Sequence, residues 1–268
     1  MNIEITSMKN PRIKEITELV SRASARKKRQ LYPVEGIKMF VEIPKEDLCE
    51  VWMSEHFAKE HPEIVKEIPS GVSSFLVSDP VFAKISDTQT PQGILAVVRQ
   101  KVYTTADMIA KDRGTPLLIL LENLQDPGNL GTILRSSEGA GVTGVILSAD
   151  SVDPYNPKVI RSTMGAIFRV PHLISEDLQK TAEELKAAGV RIYAAHLDAG
   201  SKSYDTVDWN EPSAILIGNE SKGLTEAMTA AADEKVHIPM LGKVESLNAA
   251  VAASLIAFEA ARVRRSVD

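Results

Sequence analysis

The chain has 268 residues, 44% hydrophobic and 25% charged, with 31 basic against 36 acidic side chains. This is ordinary globular usage for one large or two modest domains, and it excludes a disordered tail, a collagen or a coiled coil. No apolar run approaches the ~18–20 residues of a membrane helix, and the polar start MNIEITSMKNPRIKEI lacks a secretory core, so a soluble, cytoplasmic protein is expected.

In chain order, Pro11 to Leu31 reads as a helix whose Ile13, Ile16, Leu19 and Val20 share one face. Arg22, Arg26, Lys27, Lys28 and Arg29 follow on it. They are either a solvated helix end or a surface for phosphates. Residues 1–40 carry nine basic and four acidic side chains on an otherwise acidic protein, so this stretch can guide a polyanion to one place.

Strands are expected at Tyr32–Val34, Leu48–Met53, Ser74–Val77 and Gln92–Val98. Helices are expected at Glu35–Ile43, through Phe57 and Ile64, and at Pro80–Lys84, the last capped by Asp79. This alternation suggests a small α/β sandwich over the first hundred residues. Residues 101–115 read as a linker with a short helix. Beyond them Leu117–Leu121, Gly144–Leu147, Arg191–Ala195 and Ala214–Gly218 are apolar runs of buried parallel strands. Helices at Leu130–Ala140, Pro157–Met164 and Glu176–Ala188 lie between them, and an alanine-rich helix spans Leu247–Arg265.

Several chemistries are excluded. Cys49 stands alone, which rules out an internal disulfide, and the five histidines show no ligand spacing, so no metal is expected. Gly139, Gly141 and Gly144 match a dinucleotide fingerprint, but a helix precedes them and a strand follows, the reverse of what that fold needs. The glycines should instead end a helix. No phosphate loop of the GxxxxGK[ST] type occurs.

Three segments remain. Asn123 to Glu138 runs from a buried strand through Pro127-Gly128 into a helix beginning near Asn129, a good cap residue, with Arg135 about two turns on. Ile217 to Leu224 sets Gly218 and Gly223 about Glu220 in a tight loop whose backbone can come close to a ligand. Val236 to Ala249 passes from Ile238-Pro239 through a glycine loop to Ser246, a candidate cap of the final helix. Each alone could be an ordinary loop and cap. Together they place polar groups at the carboxyl edge of a parallel sheet, where α/β folds hold ligands.

The series LGTILRSSEGAG, IGNESKGL and IPMLGKVESLNAAVAASLIAFEA closely resembles the three motifs of the SpoU/TrmH family of RNA ribose 2′-O-methyltransferases, in the SPOUT superfamily. Asp126 and the Ala-Ala after Asn248 depart from the common pattern without touching the main polar positions. The segments around Glu35-Gly36 and Asp87 to Gly93 resemble the family's N-terminal RNA-binding domain, itself similar to a small ribosomal protein. The resemblance implies a substrate-binding domain at 1–100, a linker at 101–115, and a methyltransferase domain at 116–268 with a trefoil knot. It implies S-adenosylmethionine as cofactor and a homodimer through the methyltransferase domain. It assigns Gly218, Ile238, Met240 and Leu247 to the cofactor and Asn129, Arg135, Glu220, Ser246 and Asn248 to the active site. It also favours RNA contact by Arg22, Arg26, Lys27, Lys28 and Arg29. The expected substrate is ribosomal RNA ahead of transfer RNA; the alternative is a non-catalytic RNA-binding or ribosome-assembly protein with the same fold.

Overall fold

The computed structural model describes residues 2–244 and 246–265. In order come β1 (Asn2–Ile5), α1 (Pro11–Ser21), α2 (Ala23–Arg29), β2 (Leu31–Glu35), α3 (Ile37–Phe40), β3 (Leu48–Ser54), α4 (Glu55–Glu60), α5 (Pro62–Glu67), β4 (Ser73–Val77), α6 (Asp79–Ile85) and β5 (Ile94–Arg99). Then follow α7 (Thr105–Met108), β6 (Leu117–Leu121), α8 (Pro127–Ala140), β7 (Gly144–Ser148), α9 (Pro157–Thr163), β8 (His172–Ser175), α10 (Leu178–Ala187), β9 (Arg191–Ala195), β10 (Lys202–Ser203), β11 (Ser213–Ile217), α11 (Glu226–Ala231), β12 (Glu234–His237) and α12 (Ala249–Arg265). They form two compact units, residues 1–101 with 153–168 and residues 102–152 with 169–268.

The first unit holds a five-stranded mixed sheet in the order β1-β4-β3-β5-β2. Ile13, Ile16 and Leu19 of α1 pack with Trp52, Phe75, Phe82 and Leu95 into its core, as their helical spacing requires. The expected single helix over 11–31 is broken at Arg22, whose backbone is extended. That break turns α2 so that Arg26 points inward, 3% exposed. Its Nε donates to Asp153 Oδ2 at 2.7 Å and its Nη1 donates to the carbonyls of Leu19 and Val20. Arg26 is therefore removed from the expected RNA surface, because it is buried and its guanidinium is bonded inside the unit. Arg22, Lys27, Lys28 and Arg29 stay exposed. Ser78, not Asp79, occupies the cap position of α6.

Glu35 is the main polar organiser of this unit. Its carboxylate accepts from Ser86 Oγ, the Asp87 amide and Thr88 Oγ1 at 2.5, 3.1 and 2.8 Å. The Gln92 side chain accepts the Ile37 amide, at a turn where Gly36 has φ +98°. One carboxylate and one amide thus fix the loop 86–92 to the end of β2.

The second unit holds a seven-stranded sheet, β10-β12-β9-β11-β6-β7-β8, parallel at every pairing. Its central strands β6 and β11 are buried along their whole length. Gly141, at φ +71°, ends α8, confirming that the glycine series terminates a helix. Gly144 is needed because a Cβ there would meet Met108 of α7 at 2.3 Å. Helix α12 packs on α8, β6 and β11 through Ala249, Ala250, Ala253, Ala257 and Ala260, whose small side chains permit close approach. Near its end the Arg264 guanidinium donates to four carbonyls, those of Thr115, Pro116, Trp209 and Glu211. Among the described residues no helix is long and apolar enough to cross a membrane, and no group of three or more His, Cys, Asp or Glu could hold a metal ion.

Candidate active site

Strands β6 and β11 are neighbours, with Leu121 opposite Ile217, so their two following loops leave the same edge of the sheet. Hydrogen bonds stitch those loops together. Glu122 accepts the Thr225 amide and hydroxyl at 2.8 and 2.7 Å, and Asn219 Nδ2 donates to the Asn123 carbonyl at 2.8 Å. Asn123 itself adopts φ +53°, a conformation asparagine tolerates better than most residues. Sequence reasoning missed Glu122, Asn123, Asn219 and Thr225. Their signal is a polar residue within two positions of the end of each buried strand, and, for Thr225, a cap residue before α11.

The loop after β11 is a tight antiparallel turn, with Asn219 and Gly223 exchanging both backbone hydrogen bonds at 3.0 and 2.9 Å. A Cβ on Gly218 would lie 2.3 Å from the Gly223 carbonyl carbon. The close approach to the returning loop by itself requires glycine there.

Glu220 projects from this turn back to α8. It accepts the amides of Asp126 and Gln125 at 3.0 and 3.3 Å and the Asn129 side-chain amide at 3.1 Å. Partial burial opposes its charge, but these donors outweigh burial and hold its carboxyl below the ordinary carboxylate range. Glu220 is accordingly an anion and an acceptor, not a reservoir for protons near neutral pH.

Helix α8 starts earlier than expected. Asp126 caps it by accepting the Asn129 amide at 2.8 Å, and Pro127 takes the first turn. Asn129 is therefore not the cap, and its side chain is free to work outside the helix. Since its Nδ2 faces Glu220, its Oδ1 accepts from Asn248 Nδ2 at 2.9 Å. Asn248 in turn caps α12, accepting the amides of Ala250 and Val251. Ser246, the expected cap, lies outside the helix. Residues from the three segments thus form one directional chain, Asn248 to Asn129 to Glu220.

Beside this chain is a cleft of about 150 Å³ between the ends of β9 and β12 and the start of α12. Ile238, Met240, Ser246 and Leu247 line it with Leu197 and Ile256, as do His196 and His237. Its walls are apolar and its rim polar, which suits a flat heteroaromatic ligand with a charged tail. Three of the four residues assigned to a cofactor meet here; Gly218 is not among the residues that line the cleft.

Arg135 is exposed on α8 and makes no hydrogen bond or ion pair among the described residues. It does not join Glu220 and Asn129, which bond to each other instead. Next to it, Ser136 accepts from Ser254 of α12 at 2.8 Å. The five polar positions thus divide into a rigid set of three, a rim serine and an uncommitted cation.

Comparison with known proteins places this geometry. The SpoU rRNA methylase family model matches residues 116–258, and the MRM3-like substrate binding domain matches residues 10–96. The chain is 31% identical to the 23S rRNA (guanosine(2553)-2′-O)-methyltransferase RlmP of Bacillus subtilis over 95% of its length and 98% of the relative's. An AdoMet-bound rRNA methyltransferase from Sinorhizobium meliloti superposes with a TM-score of 0.84 at 30% identity, covering 97% of each chain. The SpoU methyltransferase AviRb from Streptomyces viridochromogenes with AdoMet gives a TM-score of 0.86 at 25% identity, over 96% of this chain and 99% of that one.

Proposed function

The chain belongs to the SpoU rRNA methylase family, and on that premise we propose that it methylates a ribose 2′-hydroxyl of ribosomal RNA with S-adenosylmethionine as donor. The observation that carries this reading is the hydrogen-bonded chain Asn248–Asn129–Glu220, built from three separated segments beside an apolar cleft. The relatives with AdoMet bound, and the relative named for 23S rRNA, support donor and substrate.

Ile238, Met240 and Leu247 would hold the cofactor, which supplies an electrophilic methyl group when bound. The chain's own residues supply position and field. Asn248 and Asn129 offer no basic site, and Glu220 is held as a spent anion; the three fix the start of α8 and of α12. Arg135 carries a planar guanidinium. Its forked donors fit the phosphate next to the target ribose, polarising the hydroxyl as its oxygen takes the methyl and its proton passes to water.

The same reading assigns residues 1–100 to RNA binding, 101–115 to a linker and 116–268 to methyl transfer, in a cytoplasmic protein. Arg22, Lys27, Lys28 and Arg29 supply the exposed cations. The chain leaves β12, two places beyond β11 in the sheet, yet α12 returns to α8, β6 and β11. That path supports a trefoil knot. Val251, Leu255 and Phe258 form an exposed apolar stripe on α12, 45%, 40% and 44% accessible, which supports pairing with a second copy that brings its Arg135 to the site.

The test is methyl transfer from labelled S-adenosylmethionine to ribosomal and to transfer RNA, with 2′-O-methyl mapping in cells with and without the protein. Methyl on a ribosomal ribose is expected. Labelling of transfer RNA alone, or of a base nitrogen, overturns the reading.

A further inference from the structure

Resting on the reading that the cleft takes S-adenosylmethionine, we propose that His237 is the residue that recognises the adenine, accepting a hydrogen bond from its 6-amino group at Nε2. His237 ends β12, is half-buried, and lines the cleft. Its Nδ1 lies 2.9 Å from Ser201 Oγ. The serine sets the direction we assign to that bond. A hydroxyl carries one hydrogen, and Ser201 gives it to the Asp198 carbonyl at 2.8 Å while accepting the Asp198 amide at 3.3 Å. With its hydrogen there, Ser201 accepts from His237, and Nδ1 carries the ring proton. In the neutral imidazole, Nε2 is then a lone pair and an acceptor.

That lone pair has no hydrogen-bond partner among the described residues. The other histidine of the cleft, His196, differs: its Nε2 lies 3.9 Å from Asp198 Oδ2. The Asp198 carboxylate is itself held by Lys235 at 2.5 Å and by the Gly200 amide at 2.9 Å. Asp198, Lys235, Gly200 and Ser201 are thus mutually paired behind the cleft, and His237 Nε2 is an acceptor left over. Leu197, Ile238, Leu247 and Ile256 give it flat apolar company. An acceptor in such walls favours a ligand that supplies one donor at its edge. The adenine amino group does so from a planar ring, whereas a ribose brings two hydroxyls that both need partners.

The experiment is calorimetric titration of the full chain with S-adenosylhomocysteine and with its 6-oxo analogue, S-inosylhomocysteine. The wild type is expected to bind the adenine compound at least about tenfold more tightly, since the oxo group sets acceptor against acceptor. His237→Leu should weaken the adenine compound by a similar factor and abolish the discrimination; His237→Gln, which restores an acceptor oxygen, should recover part of it. Thermal unfolding checks the fold of both variants. Equal binding of both compounds by the wild type overturns the proposal, as does discrimination that survives in a folded His237→Leu protein. A His237-dependent loss on the 3′-deoxy analogue instead moves the contact to the ribose and also overturns it. Should the wild type bind none of these compounds, the cofactor reading itself fails, a different result from any of the others.

Discussion

Glu35 in the first unit and Glu220 in the second do the same mechanical work. Each stands just beyond or at the end of a strand and accepts three hydrogen bonds that pin a distant loop. They differ in what they pin. Glu35 holds hydroxyls and an amide of the loop 86–88, and the chain of contacts stops there. Glu220 holds Asn129, which holds Asn248, and so reaches the first turn of α12, whose start borders the cleft. The same device serves stability in one unit and alignment of reacting groups in the other. Two of the arginines singled out in the sequence divide in the same way: Arg26 is bonded within its unit, and Arg135 has no partner among the described residues.

The contrast can be broken at several points. Arg135→Ala should lower kcat on the order of 10²–10³-fold, the cost of losing a donor aimed at developing charge, with cofactor affinity unchanged in titration. Arg135→Lys should recover little of it, and near-normal turnover would contradict the forked contact. Arg26→Ala should cost about 3 kcal/mol in urea unfolding by stranding Asp153. If it instead weakens RNA binding at full stability, the buried reading of Arg26 is wrong.

Glu220→Gln should reduce kcat/KM about tenfold at neutral pH, because one amide end now faces donors. The folded pKa of Glu220 is depressed, so its contribution is complete above the ordinary carboxylate pKa of ~4.3 and disappears as pH falls through the lowered value. The stability curves of variant and wild type should therefore converge in acid. Glu35→Gln should lower stability by about 1 kcal/mol and leave methyl transfer on a short RNA untouched. An activity loss equal to that of Glu220→Gln would erase the distinction between the two pins. Smallest of all, Arg22→Ala and Lys28→Ala should each weaken RNA binding uniformly and reduce the salt slope by about one.

Much of this architecture is legible in the residues. Runs such as Leu117–Leu121 and Ser213–Ile217 declare buried parallel strands, because only a strand covered on both faces tolerates unbroken apolar sequence. The strands at His172–Ser175, Lys202–Ser203 and Glu234–His237 escaped notice, being short and partly polar at the outer positions of the sheet. Capping was misassigned at Asn129 and Ser246, since Asp, Asn and Ser have nearly equal appetite for a helix start and the choice is made by neighbours far along the chain. Arg26 shows the same limit: within a basic run, nothing local marks the one residue whose partner, Asp153, lies 127 positions away. Helix α9 was foreseen, but not its membership of the first unit, which depends on partners such as Asp87 for Arg161.

The guanidinium of Arg264 carries a consequence for biosynthesis. It gathers the carbonyls that introduce β6 and β11, and it follows Thr115 by 149 positions. A ribosome that has released β6 must therefore keep translating until the arginine emerges before the Thr115 carbonyl meets this donor, whereas the Pro116 carbonyl also takes the earlier-made Ser213 amide. During that interval the approach to β6 is left to water for its missing hydrogen bond.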